Sequence, residues 1–348
     1  MTRWLVVSPT GAGRFDGIGD YAARLAAALG HVTPTDLYVT GEGPWPAAAE
    51  VDAVFHQYSP AAPRGALWRK EGRWFDRVSR AGRPVIVTIH EYWPPPDGSL
   101  RRALSRARLR WRVRRVAARA SAVVVAQEIS AAQLRAAGVL GRRPVHVVPV
   151  GSNIAPVANP PGPRDGGLVL FGQAAAMDPP VMRALAQWRA SAGSQVPLTW
   201  VSRSANEARE WWIRVAGGSA DAVRWRGGLS ESEISAQLQA ATLGLAPYAD
   251  GASARRTTLA ALMQHGVPTV ALQGVATDGW LVEHGGLALV PGAAPEAFVS
   301  AVRALLADAP RRAALSRAAR SAYDTHMSWP TIADAYVRAL AGGTDTQA

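Results

Sequence analysis

Two adjacent arginines in a turn of small residues are the side chains of this chain best suited to chemistry on a charged substrate. Arg255 and Arg256 follow the apolar run Leu243–Ala246 and precede a helical pattern over Thr257–His265. A helix N-terminus offers unpaired N–H groups to an anion, and two guanidinium groups add forked, permanently charged donors. The pattern therefore predicts a diphosphate site, with an ordinary capped helix as the alternative. The predicted site also contains the polar neighbours of the pair: Ser253, Thr257 and Thr258.

A glycine-containing turn near the start of the chain is the second candidate. Gly17, Ile18, Gly19 and Asp20 stand between an apolar run and a helical pattern. Glycines at such a turn let backbone N–H groups approach a phosphate closely. We predict that Gly17 and Gly19 face the leaving group, and that Ile18 and Asp20 lie on the acceptor side; helix capping is the alternative for Asp20. No complete G-x-G-x-x-G is present, which argues against a dehydrogenase.

Polar residues also follow two apolar runs in the first half of the chain. His90 comes directly after Val85–Ile89 and is predicted to face a cleft, because ligands of parallel sheets bind at the carboxyl ends of the strands. A purely structural histidine is the alternative. Asp16 and Glu91 are the acids nearest these loops that suit proton transfer. The predicted acceptor side includes four residues: His56, Gln57, Glu91 and Tyr92.

Short apolar runs separated by helical patterns must position these residues. Such runs indicate strands buried on both faces, and their alternation with helices predicts parallel, doubly wound sheets. The first set is Trp4–Val7, Asp36–Val39, Ala53–Phe55, Val85–Ile89, Ala122–Ala126 and Val145–Val148. The second set is Gly167–Phe171, Leu198–Val201, Val223–Trp225, Leu243–Ala246, Thr269–Leu272 and Leu287–Val290. The Pro- and Gly-rich stretch Ala155–Gly167 between them suits a linker.

Several of these segments occur in the order typical of one enzyme family. They are GIGDYAARLAAAL at Gly17–Leu29, VIVTIHEYW at Val85–Trp93, VHVVPVGSNI at Val145–Ile154, LVLFGQ at Leu168–Gln173 and the stretch Val223–Leu272. With them the chain resembles, over nearly its whole length, the family 4 retaining glycosyltransferases of GT-B fold. The resemblance implies an α/β protein with two Rossmann-like doubly wound domains that face each other across a cleft. The implied domains are residues 1–155 on the acceptor side, residues 156–326 on the donor side, and a helix over 327–342 that crosses back.

The resemblance also assigns roles to particular residues. It implies that His90 contacts the donor sugar or the leaving phosphate. It adds Gly172, Gln173 and Arg203 to the diphosphate site. It implies that the turn at Trp225, Arg226 and Gly227 contacts the nucleotide base. In this family the acceptor hydroxyl attacks from the face that the diphosphate leaves, so the protein supplies positioning and charge rather than a nucleophile.

The chain departs from the family pattern around the donor turn. The family carries two glutamates eight positions apart, and the matching positions here are Ser253 and Ala261. The basic pair expected after the strand that opens the second domain aligns with Gln173 and Pro179. We therefore expect the neighbouring arginines to replace the missing cations, in a divergent branch of the family.

The composition of the chain limits the other functional classes to which it could belong. The chain has 348 residues, no cysteine and a formal net charge of +12, and Lys70 is its one lysine. The charge alone suits nucleic acid, but no zinc finger or RNA-binding motif accompanies it, so we do not expect a nucleic-acid partner. No metal and no cofactor is expected. The sequence shows neither a secretory leader nor an apolar stretch long enough to span a bilayer, which predicts a soluble cytoplasmic protein.

One arginine-rich segment allows two interpretations. Leu100–Arg119 suits a helix in which leucine, valine and tryptophan stand among many arginines. Such a helix can lie on the anionic inner face of the plasma membrane, and this gives a possible peripheral membrane contact. The alternative, which we favour, is a surface helix that packs its apolar stripe on the first sheet.

The function predicted from the sequence is a retaining glycosyltransferase. Its donor is a nucleoside-diphosphate sugar, and its acceptor is a small molecule or a lipid-linked molecule. A catalytically silent subunit that binds sugar nucleotides is the main alternative, since Ser253 and Ala261 replace the glutamates. A sugar-nucleotide 2-epimerase needs acid–base carboxylates, and the missing glutamates argue against it. An arginine-driven adaptor for nucleic acid or membrane is the remaining alternative.

Overall fold

The computed structural model describes residues 2–11, 17–60, 66–92, 98–158, 162–191, 196–292 and 294–344. The chain divides into two compact units, Met1–Val150 with Trp329–Ala348, and Gly151–Ser328. The sequence analysis placed the boundaries after residues 155 and 326, within a few residues of these limits.

The described residues of the first unit contain a six-stranded parallel sheet in the order β2-β1-β3-β4-β5-β6. Its elements along the chain are β1 (Trp4–Ser8), α1 (Gly17–Gly30), β2 (Thr35–Val39), β3 (Ala53–Tyr58), α2 (Ala66–Arg80), β4 (Val85–Ile89), α3 (Leu100–Ala117), β5 (Ala122–Val125), α4 (Glu128–Ala136) and β6 (Val145–Val147).

The described residues of the second unit contain another six-stranded parallel sheet, in the order β12-β11-β10-β7-β8-β9. Its elements are β7 (Leu168–Phe171), α5 (Pro179–Ser191), β8 (Leu198–Val201), α6 (Ala205–Trp211), β9 (Arg224–Arg226), α7 (Glu231–Ala240), β10 (Leu243–Ala246), α8 (Thr257–Gln264), β11 (Thr269–Gln273), α9 (Gly279–His284), β12 (Leu287–Pro291), α10 (Pro295–Ala307) and α11 (Ala309–His326). The last helix, α12 (Trp329–Thr344), belongs to the first unit.

The central strands are apolar on both faces because helices cover both faces of each sheet. In the first unit, every residue of β1, β3, β4 and β5 is buried, and consecutive residues face opposite sides. Trp74 of α2 and Val113 of α3 pack on one face, and Leu25 of α1 and Tyr336 of α12 pack on the other. The second sheet is covered by α5 and α10 on one face and by α7 and α8 on the other.

The predicted fold class is confirmed. Each of the twelve predicted strands is present in the described residues, with ends shifted by at most a few positions. The two predicted sheets are parallel and doubly wound. The last helix extends to Thr344, beyond the predicted end at residue 342.

The predicted linker is wrong in one respect. Its described part is bound to the second unit: the Val157 N–H donates to Ser235 Oγ at 2.9 Å, and Arg164 donates to the carbonyl oxygens of Leu238 and His265. Proline and glycine prevent a helix or strand here, but they do not prevent backbone and arginine hydrogen bonds to neighbouring helices. This stretch is therefore part of the second unit.

None of the described helices combines the length and the apolar character needed to cross a bilayer.

Candidate functional site

The order of the second sheet creates a crevice at its carboxyl edge. From β7 the chain winds outward through β8 and β9, and it then returns to β10 on the other side of β7. The connections after β7 and β10 therefore leave in opposite directions, which opens the ligand-binding position of doubly wound sheets. Gly172 and Gln173 follow β7, and the arginine-containing turn follows β10.

The two connections are held together by backbone hydrogen bonds. The Asp178 N–H donates to Pro247 O at 2.7 Å, and the Ala249 N–H donates to Ala176 O at 3.0 Å. Gly172 has a φ of +136°, and a Cβ there would lie 3.6 Å from the side chain of Thr258. The structure thus brings the predicted diphosphate residues Gly172 and Thr258 into contact range at the N-terminus of α8.

A carboxylate that the sequence analysis did not select, Asp250, joins the two arginines. Its oxygens accept hydrogen bonds from Arg255 at 2.8 Å and from Arg256, so each guanidinium group contacts a different oxygen. The guanidinium of Arg256 also lies 4.2 Å from the ring centroid of Tyr248. Burial alone would raise the pKa of Asp250, but Arg256 and Arg255 outweigh it and hold the pKa below its ordinary value. The pair therefore converges on one anionic group.

The arginine turn is rigidly supported. The Ala254 N–H donates to Asp278 Oδ2 at 2.7 Å, and Asp278 is buried. Gly251 has a φ of +97°, and a Cβ there would lie 2.4 Å from Gly274 N.

Among the described residues, Arg256 Nε is buried and has no hydrogen-bond acceptor. A buried donor left unsatisfied costs about 1–3 kcal/mol, so this atom favours an anion at the turn.

Ser253 and Ala261, the positions aligned with the missing glutamates, are both buried. Ser253 is fully buried, and its Oγ accepts a hydrogen bond from the Arg255 N–H at 3.4 Å. Ser253 therefore has a role inside the turn, and its contact with a diphosphate stays a prediction. Ala261 packs against Val169 and Leu238 in the core. A carboxylate at this position would have to enter an apolar cluster.

The other predicted diphosphate residues lie along the same carboxyl edge. Gln173 is exposed at the start of a short turn of 3₁₀ helix after β7. Arg203 is exposed after β8, the strand next to β7. Thr257 is the first residue of α8 and is half-buried. All three residues thus lie on the edge of the sheet that also carries the arginine turn.

The predicted base-contacting residues form the end of the edge strand β9 and the turn after it. The ring of Trp225 packs on Trp200 with centroids 5.7 Å apart, and its N–H donates to Ala220 O. Arg226 is exposed. A Cβ at Gly227 would lie 2.9 Å from the Cβ of Ala205. The side chain of Trp225 thus serves packing, which leaves main-chain groups for any contact with a base.

In the first unit, His90 lies at the end of β4 beside one aromatic side chain and one amide side chain. Its Nε2 is 2.9 Å from Gln57 Oε1, and its ring lies edge-on to Tyr21 with centroids 5.2 Å apart. Whether Nε2 donates or accepts in this contact depends on the tautomer of the ring. Gln57 is fully buried, so it orients His90 from inside the unit.

The glycine turn of the first unit is partly described. Gly17 begins α1, and no atom lies within 4 Å of a Cβ added there. A Cβ at Gly19 would lie 2.2 Å from Gly11 O, so the close approach of the preceding loop requires glycine. Ile18 and Asp20 are half-buried on the same first turn. Asp16, one of the predicted proton-transfer acids, lies outside the described residues.

The acceptor-side set includes two residues that the structure places in the core. His56 is 5% exposed, and its Nε2 lies 3.0 Å from Glu71 Oε1 on the face covered by α2. Tyr92 is 2% exposed and packs in the same core cluster. Neighbouring strand residues face opposite sides, so the side chains of His56 and Gln57 lie on different faces of the sheet. Glu91 is exposed between His90 and Tyr92.

A cavity of about 730 Å³ lies elsewhere in the second unit, and it is not part of the donor turn. Gln264 and Arg320 line it together with Arg164, which precedes β7. These residues stand at the amino edge of the sheet, opposite to the edge where parallel sheets bind their ligands. The volume of this cavity therefore does not identify it as the donor-binding site. Among the described residues, no group of three metal-ligating side chains was found.

Sequence comparison identifies a known family in the second unit. The family model described as "Glycosyl transferases group 1" matches residues 180–308, which include the arginine turn. A search of curated proteins found no match.

Solved structures share the fold over nearly the whole chain. Sucrose-phosphate synthase from Thermosynechococcus elongatus aligns with a TM-score of 0.66 and 17% identity, covering 100% of both chains. HepE from Anabaena, solved in complex with UDP and glucose, aligns with a TM-score of 0.66 and 16% identity, covering 98% of this chain and 100% of its own. A glycosyltransferase from Rickettsia africae aligns with a TM-score of 0.68 and 11% identity, covering 99% and 98%. The second unit thus matches the group 1 glycosyltransferase model over residues 180–308, and the whole chain shares the GT-B fold of these solved structures.

Proposed function

We propose that the protein transfers a sugar, with retention of configuration, from a nucleoside-diphosphate sugar to a small-molecule or lipid-linked hydroxyl. The observation that carries this proposal is the convergence of Arg255 and Arg256 at the N-terminus of α8, beside the switch point of the second sheet. Fixed guanidinium charge at a helix N-terminus suits the pyrophosphate of such a donor. HepE, which has the same fold, was solved with UDP-glucose, so a uridine nucleotide is the first donor to test.

The proposed reaction uses charge and positioning and needs neither a metal nor an organic cofactor. The acceptor oxygen forms a bond to the anomeric carbon on the face from which the diphosphate departs, as the carbon–oxygen bond to phosphate breaks. The departing phosphate takes the proton of the acceptor hydroxyl. In this proposal the two arginines stabilise the negative charge that grows on the diphosphate, and His90 contacts the transferred sugar.

A lipid-linked acceptor is favoured by the exposed end of α3. The end of α3 toward its C-terminus packs on the sheet through Val113 and Val116, as the core interpretation predicts. Nearer its start, Leu100 is 78% exposed, Leu104 is 53% exposed and Trp111 is 50% exposed, among arginines. Exposed apolar side chains flanked by arginines suit the surface of an anionic bilayer.

Flotation with vesicles tests this contact. We expect the protein to float with phosphatidylglycerol vesicles and not with phosphatidylcholine vesicles, and we expect Leu104→Ser with Trp111→Ser to reduce flotation. Equal flotation with both lipids, or equal flotation of the wild type and the double variant, would contradict the proposed membrane contact.

Calorimetric titration with UDP, GDP, TDP and ADP tests the donor site. We expect saturable binding of one nucleotide, and we expect Arg256→Ala to weaken that binding more than about tenfold, the scale of a lost charge-assisted contact. Arg320→Ala is a charge-matched control, because the Arg320 side chain is 47% exposed and pairs with Asp324 on α11. Equal affinity in wild type and Arg256→Ala would reject the diphosphate site.

Turnover separates an enzyme from a silent binding subunit. Release of the nucleotide from the bound sugar nucleotide, with or without an acceptor, is expected for the enzyme. NMR of the product's anomeric proton then tests retention. Tight nucleotide binding with no turnover across donors and acceptors would favour the silent subunit.

A further inference from the structure

Tyr248 is a buried residue at the donor turn that the sequence analysis did not select. It lies just after β10, is 1% exposed and belongs to the largest core cluster of the second unit. Its backbone pairs with Met177 in an isolated antiparallel bridge, and its carbonyl oxygen accepts from the Gly251 N–H at 2.9 Å. Tyr248 is therefore held by both of the connections that form the crevice.

The face of the Tyr248 ring supports the guanidinium group of Arg256. The guanidinium carbon lies 4.2 Å from the ring centroid, and the Arg256 side chain is only 13% exposed. Burial raises the pKa of Tyr248 above its ordinary value, so the phenol is neutral at physiological pH. The cation is therefore attracted by the π electrons of a neutral ring, and this attraction is stronger where water is excluded.

The hydroxyl of Tyr248 anchors the far end of the ring. It lies 2.8 Å from Thr258 Oγ1, on the first turn of α8. Thr258 is in turn close to the connection after β7, because a Cβ added at Gly172 would lie 3.6 Å from the Thr258 methyl carbon. One buried side chain thus contacts two of the predicted diphosphate residues, Arg256 and Thr258.

Asp250 and Tyr248 hold Arg256 in different ways. The Asp250 carboxylate accepts a hydrogen bond from the guanidinium group, so it uses an N–H donor that a diphosphate also needs. The ring of Tyr248 brings neither a competing oxygen nor a negative charge to the face of the cation. A diphosphate that displaces Asp250 can therefore bind the guanidinium group while the ring still holds it.

We propose that Tyr248 is a positioning residue of the donor site, whose ring holds the Arg256 guanidinium group where the diphosphate binds. This rests on the proposed function, in which Arg256 binds the diphosphate of the donor. A long arginine side chain loses conformational freedom when it is held in one place. With the ring beside it, this loss occurs when the protein folds rather than when the ligand binds, and such preorganisation increases affinity.

The variants separate the ring face from the rest of the side chain. Tyr248→Leu removes the ring, whereas Tyr248→Phe keeps it and is the conservative variant expected to rescue binding. Pentafluorophenylalanine in place of Tyr248 keeps a ring of similar size but withdraws the π electrons that attract a cation, so it still decides the question if Tyr248→Leu does not fold. Tyr323→Leu is the control, because Tyr323 is 2% exposed and belongs to the same core cluster on α11.

The first measurement is the affinity for UDP by calorimetry, or for the nucleotide that binds the wild type best. We expect Tyr248→Leu and the fluorinated ring to weaken binding about tenfold, within the range of a cation–π contact shielded from water, and Tyr248→Phe to weaken it less than about threefold. We expect Tyr323→Leu to bind as the wild type does. In the Arg256→Ala background, loss of the ring face should weaken binding no further. Equal affinity of Tyr248→Phe and the fluorinated ring, or an equal loss in both backgrounds, would overturn the proposal.

The second measurement needs no ligand. Urea unfolding compares Tyr248→Phe with the fluorinated ring, each with and without Arg256→Ala. We expect fluorination to lower the free energy of unfolding when Arg256 is present, and to lower it less when Arg256 is replaced, because the shared contact is then already lost. An equal effect of fluorination in both backgrounds would overturn the proposal. If the wild type binds none of the nucleotides, the proposed function fails, and this comparison still decides whether the ring holds Arg256.

Discussion

Replacing Asp250 by asparagine should tighten nucleotide binding, although it removes a charged side chain from the candidate site. In the structure, the Asp250 carboxylate receives one hydrogen bond from each of the two arginines. A diphosphate that binds the same guanidinium groups must either displace this carboxylate from them or bind beside it. In the second case the two negative charges repel each other. The amide of the Asp250→Asn variant would keep an oxygen that can accept from one arginine, while the negative charge would be gone.

The size of the effect follows from the charges. Two like unit charges about 5 Å apart repel by about 3 kcal/mol at an effective dielectric constant of about 20. Asp250 is 23% exposed, so solvent screens part of this repulsion. Asp250 also orients the arginines, and losing that orientation offsets part of the gain. We therefore expect a net gain of about 1.4 kcal/mol, which is about tenfold in Kd.

Calorimetric titration of the wild type and of Asp250→Asn measures this difference in Kd. The ligand is UDP, or the nucleotide that binds the wild type best. The tighter binding of the variant should persist in moderate salt, because the groups are partly buried. Asp324→Asn is the control: it removes one negative charge from the ion pair with Arg320 on α11. Equal or weaker binding in Asp250→Asn would refute the competition and show that Asp250 mainly orients the arginines.

Two further predictions concern stability. Gly19→Ala should lower the free energy of unfolding by about 1–3 kcal/mol in urea titrations, because its Cβ would lie 2.2 Å from Gly11 O. Gly17→Ala, which meets no atom within 4 Å, should not lower it. Burial lowers the pKa of His265 from 6.5 to about 4, so between these values the unfolded chain binds a proton that the folded chain does not. The free energy of unfolding should therefore fall by up to about 3 kcal/mol as pH drops from 7 to 4, at about 1.4 kcal/mol per pKa unit, and His265→Gln should lack this component. An equal pH slope in both proteins would contradict the second prediction, and equal stability of the two alanine variants would contradict the first.

The strands and the arginine turn could be predicted from the sequence because local patterns determine them. Runs such as Val85–Ile89 and Ala122–Val125 are apolar at nearly every position, which is typical of strands covered on both faces. Small residues between a strand and a helix likewise mark the turn that contains Arg255 and Arg256. Each of these signals lies within a window of a few residues.

The partners of the site residues could not be predicted in the same way. Tyr336 contacts Thr88 across 248 positions and Tyr21 across 315 positions, and no local pattern indicates such pairs. His56 and Gln57 illustrate a second difficulty. They are neighbours at the end of β3, and which of them faces α2 depends on the register of β3 in the sheet. The sequence analysis therefore grouped two residues that the structure separates.

Asp250 shows why an alignment-based interpretation of the donor turn was incomplete. Matching the chain to its family drew attention to the two glutamate positions, and both are occupied by small buried residues, Ser253 and Ala261. The loss of two carboxylates suggested a site with only positive charge. Yet Asp250 lies a few positions earlier in the same turn and binds both arginines, so these three side chains carry one net positive charge rather than two. The affinity of the site then depends on the balance between this carboxylate and the incoming diphosphate, and changing Asp250 alone measures that balance.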